Sequence, residues 1–113
     1  MPCFVILEHD HPFLHWDLML ETGDVLRTWR LLEAPEPGKT IAAEALGDHR
    51  RMYLDYEGPV SGGRGRVKRW DAGSFEWTKD QLNQVVIRLA GQRLRGAATL
   101  KLGDRGKWAF QLQ

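Results

Sequence analysis

A single cysteine, Cys3, is all the thiol chemistry this 113-residue sequence offers. It excludes an intrachain disulfide framework and fits a reducing cytoplasm. No apolar run reaches the roughly 18 residues that a membrane-spanning helix needs, and no secretory leader is visible, so neither membrane association nor export is expected. Neither sign of charge is in excess. Sixteen Lys and Arg face fifteen Asp and Glu, for a net +1, too little for charge alone to mark a nucleic-acid binder. Internal repeats and low-complexity tracts are also missing. What remains is ordinary globular material, 42% hydrophobic and 27% charged, of a length that predicts one domain over residues 1–113. A monomer is expected.

Histidine is scarce too, which makes its placement informative. Three of the four histidines fall in "EHDHPFLHWDLMLE", residues 8–21. The segment 13–21 alternates as a strand does, so successive side chains take opposite faces. Leu14, Trp16, Leu18 and Leu20 make an apolar core face. Phe13, His15, Asp17, Met19 and Glu21 make a mixed one, with His15 and Asp17 projecting together and His9 and His11 just upstream. Gly23-Asp24 is a two-residue hairpin signal. It sets the return strand 25–32 in a register where Thr22 pairs Val25, Met19 faces Thr28, Leu18 faces Trp29 and Trp16 faces Leu31. Arg30 then lies beside Asp17 on the mixed face.

Further short strands are expected at 3–8, 51–58, 66–70, 74–78, 84–89, 93–102 and 107–112, with 40–46 open between strand and short helix. Turns are expected at Asp71–Gly73, Ala90-Gly91 and Gly103–Gly106, and a brief helical turn at 79–83. Many short strands at close spacing predict an all-β, mostly antiparallel fold, a small closed β-barrel with short helical turns.

Two imidazoles and a carboxylate at His9, His15 and Asp17 suit a divalent ion such as Mn²⁺, Zn²⁺ or Fe²⁺, with open positions for water and a substrate oxygen. The same His-x-Asp spacing on a strand also occurs as an exposed pair without a role. His11 competes as a ligand, although a loop histidine before proline is the simpler reading. A second cluster, "DHRRMYLDYEG", offers His49 as proton donor or anion clamp and Tyr53 as a hydroxyl donor, against the plainer reading of Tyr53 as a packed ring. Arg50, Arg51, Arg64 and Arg66 are candidates to grip phosphates, or form an ordinary solvated basic surface. "SGGRGR" brings backbone amides near an anion but matches no P-loop. Of the five tryptophans, all able in principle to stack on bases, Trp16 and Trp29 fall on the hairpin's core face.

These stretches resemble a known family. "FVILEHDHPFLHWDLMLETGDVLRTW", "DHRRMYLDYEG" and "GRVKRWDAGSFEW" are similar to successive blocks of the 3′-phosphoesterase domain of bacterial and archaeal DNA ligase D, and "GQRLRGAATLKL" with "KWAFQL" is similar to its ending. The resemblance implies a small β-barrel and a Mn²⁺-dependent esterase that removes 3′-phosphates or 3′-terminal ribonucleotides and leaves a 3′-hydroxyl. It implies His9, His15 and Asp17 as metal ligands, with His49 and Tyr53 approaching the phosphate. DNA or RNA/DNA 3′ ends are the implied partners, with any ligase, polymerase or end-binding protein supplied separately.

Two of the departures from the family pattern, at Met19 and Glu33, remove positive charge. Met19 stands where the family has an arginine, Glu33 where it has a lysine, and Gly47 where it has an acidic residue; "PVSGGRGRV" lacks the family loop's tyrosine. Arg30 replaces a small family residue, and the hairpin register puts it where it can supply the guanidinium that Met19 cannot; pairing with a surface carboxylate is its alternative. Two rival functions stay open: a catalytically weakened relative that binds nucleic-acid ends or repair partners, and a non-haem iron oxygenase built on the same two-histidine, one-carboxylate set.

Overall fold

The computed structural model describes all residues, 1–113. Nine strands form: β1 (Cys3–His9), β2 (His15–Thr22), β3 (Val25–Leu31), β4 (Thr40–Arg50), β5 (Gly58–Pro59), β6 (Arg66–Gln81), β7 (Gln84–Gly91), β8 (Arg95–Leu102) and β9 (Trp108–Leu112). There is no α-helix, only two single 3₁₀ turns at Arg51–Leu54 and Asp104–Gly106, and hence no helix long and apolar enough to cross a membrane. The sheet runs β1-β2-β3-β4-β9-β8-β7-β6-β5, and an additional β1–β6 pairing closes it into a ring. The expected all-β, antiparallel architecture is therefore what forms.

The β2–β3 hairpin adopts the register read from its turn, with Thr22 opposite Val25, Met19 opposite Thr28, and Asp17 opposite Arg30. A slip of one residue would send every buried side chain of β2 to the wrong face. Elsewhere local signals mislead. Residues 51–54 of the expected strand 51–58 coil into a 3₁₀ turn, and the segment 40–46 resolves as strand within β4. Leu14, expected on the core face, lies before β2 begins and is 52% exposed. The helical turn expected at 79–83 is instead the end of β6 and the hairpin tip leading to β7.

The largest difference is at Asp71–Gly73, which reads as a turn but lies inside one sixteen-residue strand. The first half of β6 pairs β1, from His9 opposite Val67 to Cys3 opposite Ser74, and its second half pairs β7. This double use closes the ring. Buried Asp71 serves the neighbouring 91–94 turn: its Oδ1 accepts the amides of Ala72, Gln92 and Arg93 at 2.8, 2.8 and 3.0 Å, and its Oδ2 accepts that of Leu94 at 2.9 Å. Gly73 permits the close approach, since a Cβ there would sit 2.1 Å from the Ala90 carbonyl oxygen.

Alternation divides the buried side chains into two cores. Phe4, Ile6, Leu18, Leu20, Ile87, Leu100 and their neighbours fill the inside of the ring. Val5, Leu7, Met19, Leu26 and Val67 form a smaller cluster on the outer face of β1, β2, β3 and β6, covered by Tyr53, Leu54, Tyr56 and Val60. The mixed face of β2 is thus itself largely buried, beneath residues 53–60. The candidate site lies at one edge of that cover.

Candidate metal centre

β1 and β2 bring His9 and His15 together as a directly opposed cross-strand pair, with Leu7 opposite Asp17 two positions on, on the same face. Odd-numbered residues of both strands face outward, so His9, His15 and Asp17 continue the row that Val5, Leu7 and Met19 bury. His15 and Asp17 are buried, at 1% and 3% exposure. The two imidazole rings lie 4.9 Å apart.

The backbone fixes which nitrogen of each ring is free. His9 Nε2 is 2.8 Å from the Arg64 carbonyl oxygen, and His15 Nδ1 is 2.8 Å from that of Phe13. A carbonyl only accepts, so each of these nitrogens carries a proton and donates it. In the neutral rings the lone pairs therefore sit on His9 Nδ1 and His15 Nε2. Both point at one carboxylate, with Asp17 Oδ2 3.7 Å from His9 Nδ1 and 3.3 Å from His15 Nε2. His15 Nε2 and Asp17 Oδ1 are buried without a hydrogen-bond partner. Three acceptor atoms thus converge within 4.8 Å of one another, an arrangement that repels itself unless a proton or a cation lies between them. Backbone carbonyls that orient ligating imidazoles are the usual outer shell of a metal site.

The three donors open onto a cleft of about 270 Å³ that is also lined by Arg30, His49, Tyr53 and Arg64. His49 donates from Nδ1 to the Gly47 carbonyl at 2.9 Å, which leaves Nε2 as its free nitrogen, and its ring lies 6.1 Å from that of Tyr53. Arg30 sits 5.4 Å from the centre of the Phe13 ring, and its contact with Glu44 is loose, at 3.6 Å. Its Nε is buried and unpartnered. Met19, also lining the cleft, is packed into the outer core and brings no charge.

The four arginines proposed as phosphate grips are not brought together. Only Arg64 lines this cleft, its guanidinium folded onto Ser61. Arg51 is ion-paired with Glu21. Arg66 lines a separate cleft beside Glu8, Asp10 and Glu57, and Arg50 is exposed at the end of β4. His11 lines the cleft but stands outside the three-donor group. Glu33, the acidic departure, is held by Lys39 at 2.9 Å and does not line the cleft. Sequence reasoning missed the carbonyls of Phe13 and Arg64, because a backbone atom acts whatever its side chain. One signal for the second was Gly65, whose φ of +76° and tight fit against Asp10 shape the loop that presents Arg64. The Arg66 amide also donates to Asp10 Oδ1 at 2.8 Å and holds that carboxyl below its usual range.

Comparison with known proteins adds the family. A model described as the DNA ligase D 3′-phosphoesterase domain matches residues 7–102. The chain belongs to that family. The multifunctional non-homologous end joining DNA repair protein LigD of Mycobacterium tuberculosis is 28% identical over 114 residues, covering 93% of this chain and 15% of that protein. The LigD protein of Pseudomonas aeruginosa is 32% identical over 103 residues, covering 82% of this chain and 12% of its own length. That of Mycolicibacterium smegmatis is 31% identical over 123 residues, covering 92% and 16%. The chain therefore spans about a sixth or less of these multifunctional relatives.

Proposed function

We propose that this phosphoesterase-family domain is a divalent-metal-dependent 3′-phosphoesterase, of the Mn²⁺ type, acting on DNA or RNA/DNA ends. The observation that carries the reading is the convergence of His9 Nδ1, His15 Nε2 and Asp17 Oδ2, two of them oriented by imidazole-to-carbonyl hydrogen bonds. Metal–ligand bonds of about 2.0–2.2 Å put neighbouring donors roughly 3–3.5 Å apart, close to the 3.3 and 3.7 Å separations here. Mn²⁺ fits this nitrogen and oxygen set, as does Zn²⁺. When bound, such an ion polarises a phosphoryl oxygen and leaves coordination positions for water.

The chain's own residues supply the rest. Arg30 offers a guanidinium whose buried Nε lacks a partner and whose bond to exposed Glu44 is weak, so it is free to engage a phosphate. His49, as an imidazolium with Nδ1–H still bonded to Gly47, would present Nε2–H to protonate the leaving oxygen and be left neutral, and Tyr53 would orient the phosphate through its hydroxyl. Arg64 adds positive charge at the rim.

The test is a 3′-end assay with purified protein and labelled primer-templates that end in a 3′-phosphate or one ribonucleotide. Mn²⁺-dependent conversion to a 3′-hydroxyl, lost in His15→Ala, is the expected result. Metal and DNA binding without turnover would instead favour a binding module, the reading that Met19 in place of the family arginine supports. Failure to bind Mn²⁺ or Zn²⁺ at all would overturn the assignment.

A further inference from the structure

The largest cleft is not the one that holds the histidines. A depression of about 460 Å³ lies where β3 and β9 begin and β4 and β6 end, lined among others by Arg27, Trp29, Asp48, Gln81 and Trp108. Its size falls within the roughly 300–1,000 Å³ of small-molecule sites. Leu46 lines both this cleft and the one at the metal centre, so the two adjoin.

The lining has an unusual chemistry. Trp29 is 3% exposed, yet its indole Nε1 has no hydrogen-bond partner. An indole N–H only donates, and buried donors are ordinarily paired, so an acceptor is missing. Arg27 lies 5.2 Å from the Trp29 ring and 5.1 Å from the Trp77 ring, and its charge is matched by Asp80 at 3.0 Å. Asp80 is half exposed, and a pair so exposed opens at little cost. The Arg27 guanidinium therefore lies over the Trp29 ring in a contact held by an exposed ion pair. Asp48 adds a second carboxylate without a salt-bridge partner. One cation against two anions disfavours a phosphate. A flat, neutral group with both acceptors and donors fits: acceptors for Trp29, donors for Asp48 and Gln81, and a face for Trp108.

We propose that this cleft binds a nucleobase, that of an unpaired nucleotide adjoining the 3′ end held at the metal centre. The choice of a nucleobase over other polar heterocycles rests on the DNA-end reading above. Bases taken out of a stack are read by hydrogen bonds to their edges and by aromatic contact, both of which this lining supplies.

The test uses neither metal nor turnover, so its outcome is independent of whether the protein is a phosphoesterase. Five tryptophans give five indole N–H signals in a ¹⁵N-correlated NMR spectrum, which Trp→Phe variants assign. The full chain is titrated with deoxyadenosine and thymidine, and with 2-deoxyribose 5-phosphate as the base-free control. The expected result is a saturable shift of the Trp29 and Trp108 signals with a nucleoside and none with the sugar phosphate. Asp48→Ala, an exposed change, is expected to weaken nucleoside binding roughly tenfold, the scale of one lost hydrogen bond. Trp29→Phe removes the N–H together with part of a buried ring and is expected to weaken binding at least as much; should it unfold the protein, Asp48→Ala still decides. Static Trp29 and Trp108 signals in a folded, well-dispersed spectrum at millimolar nucleoside overturn the proposal. So does an equal response to the sugar phosphate, or unchanged nucleoside affinity in Asp48→Ala.

Discussion

Arg30 and Met19 are cross-strand neighbours by one step, since Asp17 pairs Arg30 and Met19 pairs Thr28. The family resemblance implies a guanidinium at the position of Met19, and the adjacent strand carries Arg30 on the same outer face. The geometry suits replacement of one by the other: Arg30 is part-buried, stacked on Phe13 and only loosely tied to Glu44. Arg30→Ala is therefore expected to lower phosphate release by roughly 10²–10³-fold, the usual cost of removing one donor to a developing oxyanion. Mn²⁺ affinity, measured by calorimetry, should stay unchanged, because no donor atom of the three-residue cluster moves. Unchanged turnover in that variant would make Arg30 a surface ion-pair residue. His15→Ala should show the opposite split, with metal binding lost first. Residue-level chemistry of this kind was legible in the sequence, because a hairpin register follows from its turn and places Asp17 against Arg30. The fates of Arg51 and Arg66 were not legible. Glu21 lies 30 positions before Arg51, and two of the three carboxylates in the Arg66 cleft, Glu8 and Asp10, belong to the distant first strand and the loop after it.

At the scale of elements, two loop-to-strand contacts hold the architecture. The Asp71 carboxylate accepts four backbone amides, three of them from the 92–94 turn. Trp-Asp-Ala-Gly looks like turn punctuation, and nothing local says that its carboxylate serves a turn twenty residues downstream. Asp71→Asn keeps the shape but replaces an acceptor oxygen with a donor that faces amide N–H groups. A loss of about 2–4 kcal/mol is expected, or a fall in Tm of roughly 8–16 °C for a domain of this size, read by calorimetry. Gly65 is the second contact. Its φ is +76°, and a Cβ would come within 2.2 Å of Asp10 Oδ1 and 2.7 Å of the His11 Cβ. Gly65→Ala should cost about 1–3 kcal/mol in backbone strain. It should also weaken Mn²⁺ binding by roughly 10–100-fold, as loss of an outer-shell partner does, because the Arg64 carbonyl that orients His9 shifts with the loop. A variant that loses stability but keeps full metal affinity would show that the His9 tautomer does not depend on this loop.

On the scale of the whole molecule, the ring and its outer cover differ in how they are held. Ring strands are paired on both sides and packed on a core of 17 buried residues. Residues 51–65 instead cross the outer face with few backbone bonds, chiefly Asp55 to Met52, Val60 to Gly65 and the two-residue pairing of β5. They rest on five buried side chains. The alternation of β2 exposed both of its faces to inspection, yet the sequence alone left the second face mixed because the cover that buries it is irregular and has no period. That cover carries Tyr53 and Arg64, and its far end supplies the carbonyl to His9, so site and cover are one cooperative unit. Amides of 51–65 should therefore exchange with solvent faster than those of β1, β2, β7 and β8, through local opening that leaves the ring intact. An Mn²⁺ held by His9, His15 and Asp17, as proposed, would tie His9, and through its hydrogen bond the Arg64 carbonyl, to Asp17, so saturating metal should slow exchange across 60–66 while β7 and β8 keep their rates. Mass-spectrometric hydrogen exchange with and without Mn²⁺ reads both effects. Equal protection of ring and cover without metal, or slowing spread evenly over the ring, would mean that the two cores open together and that the site is built on a single rigid body.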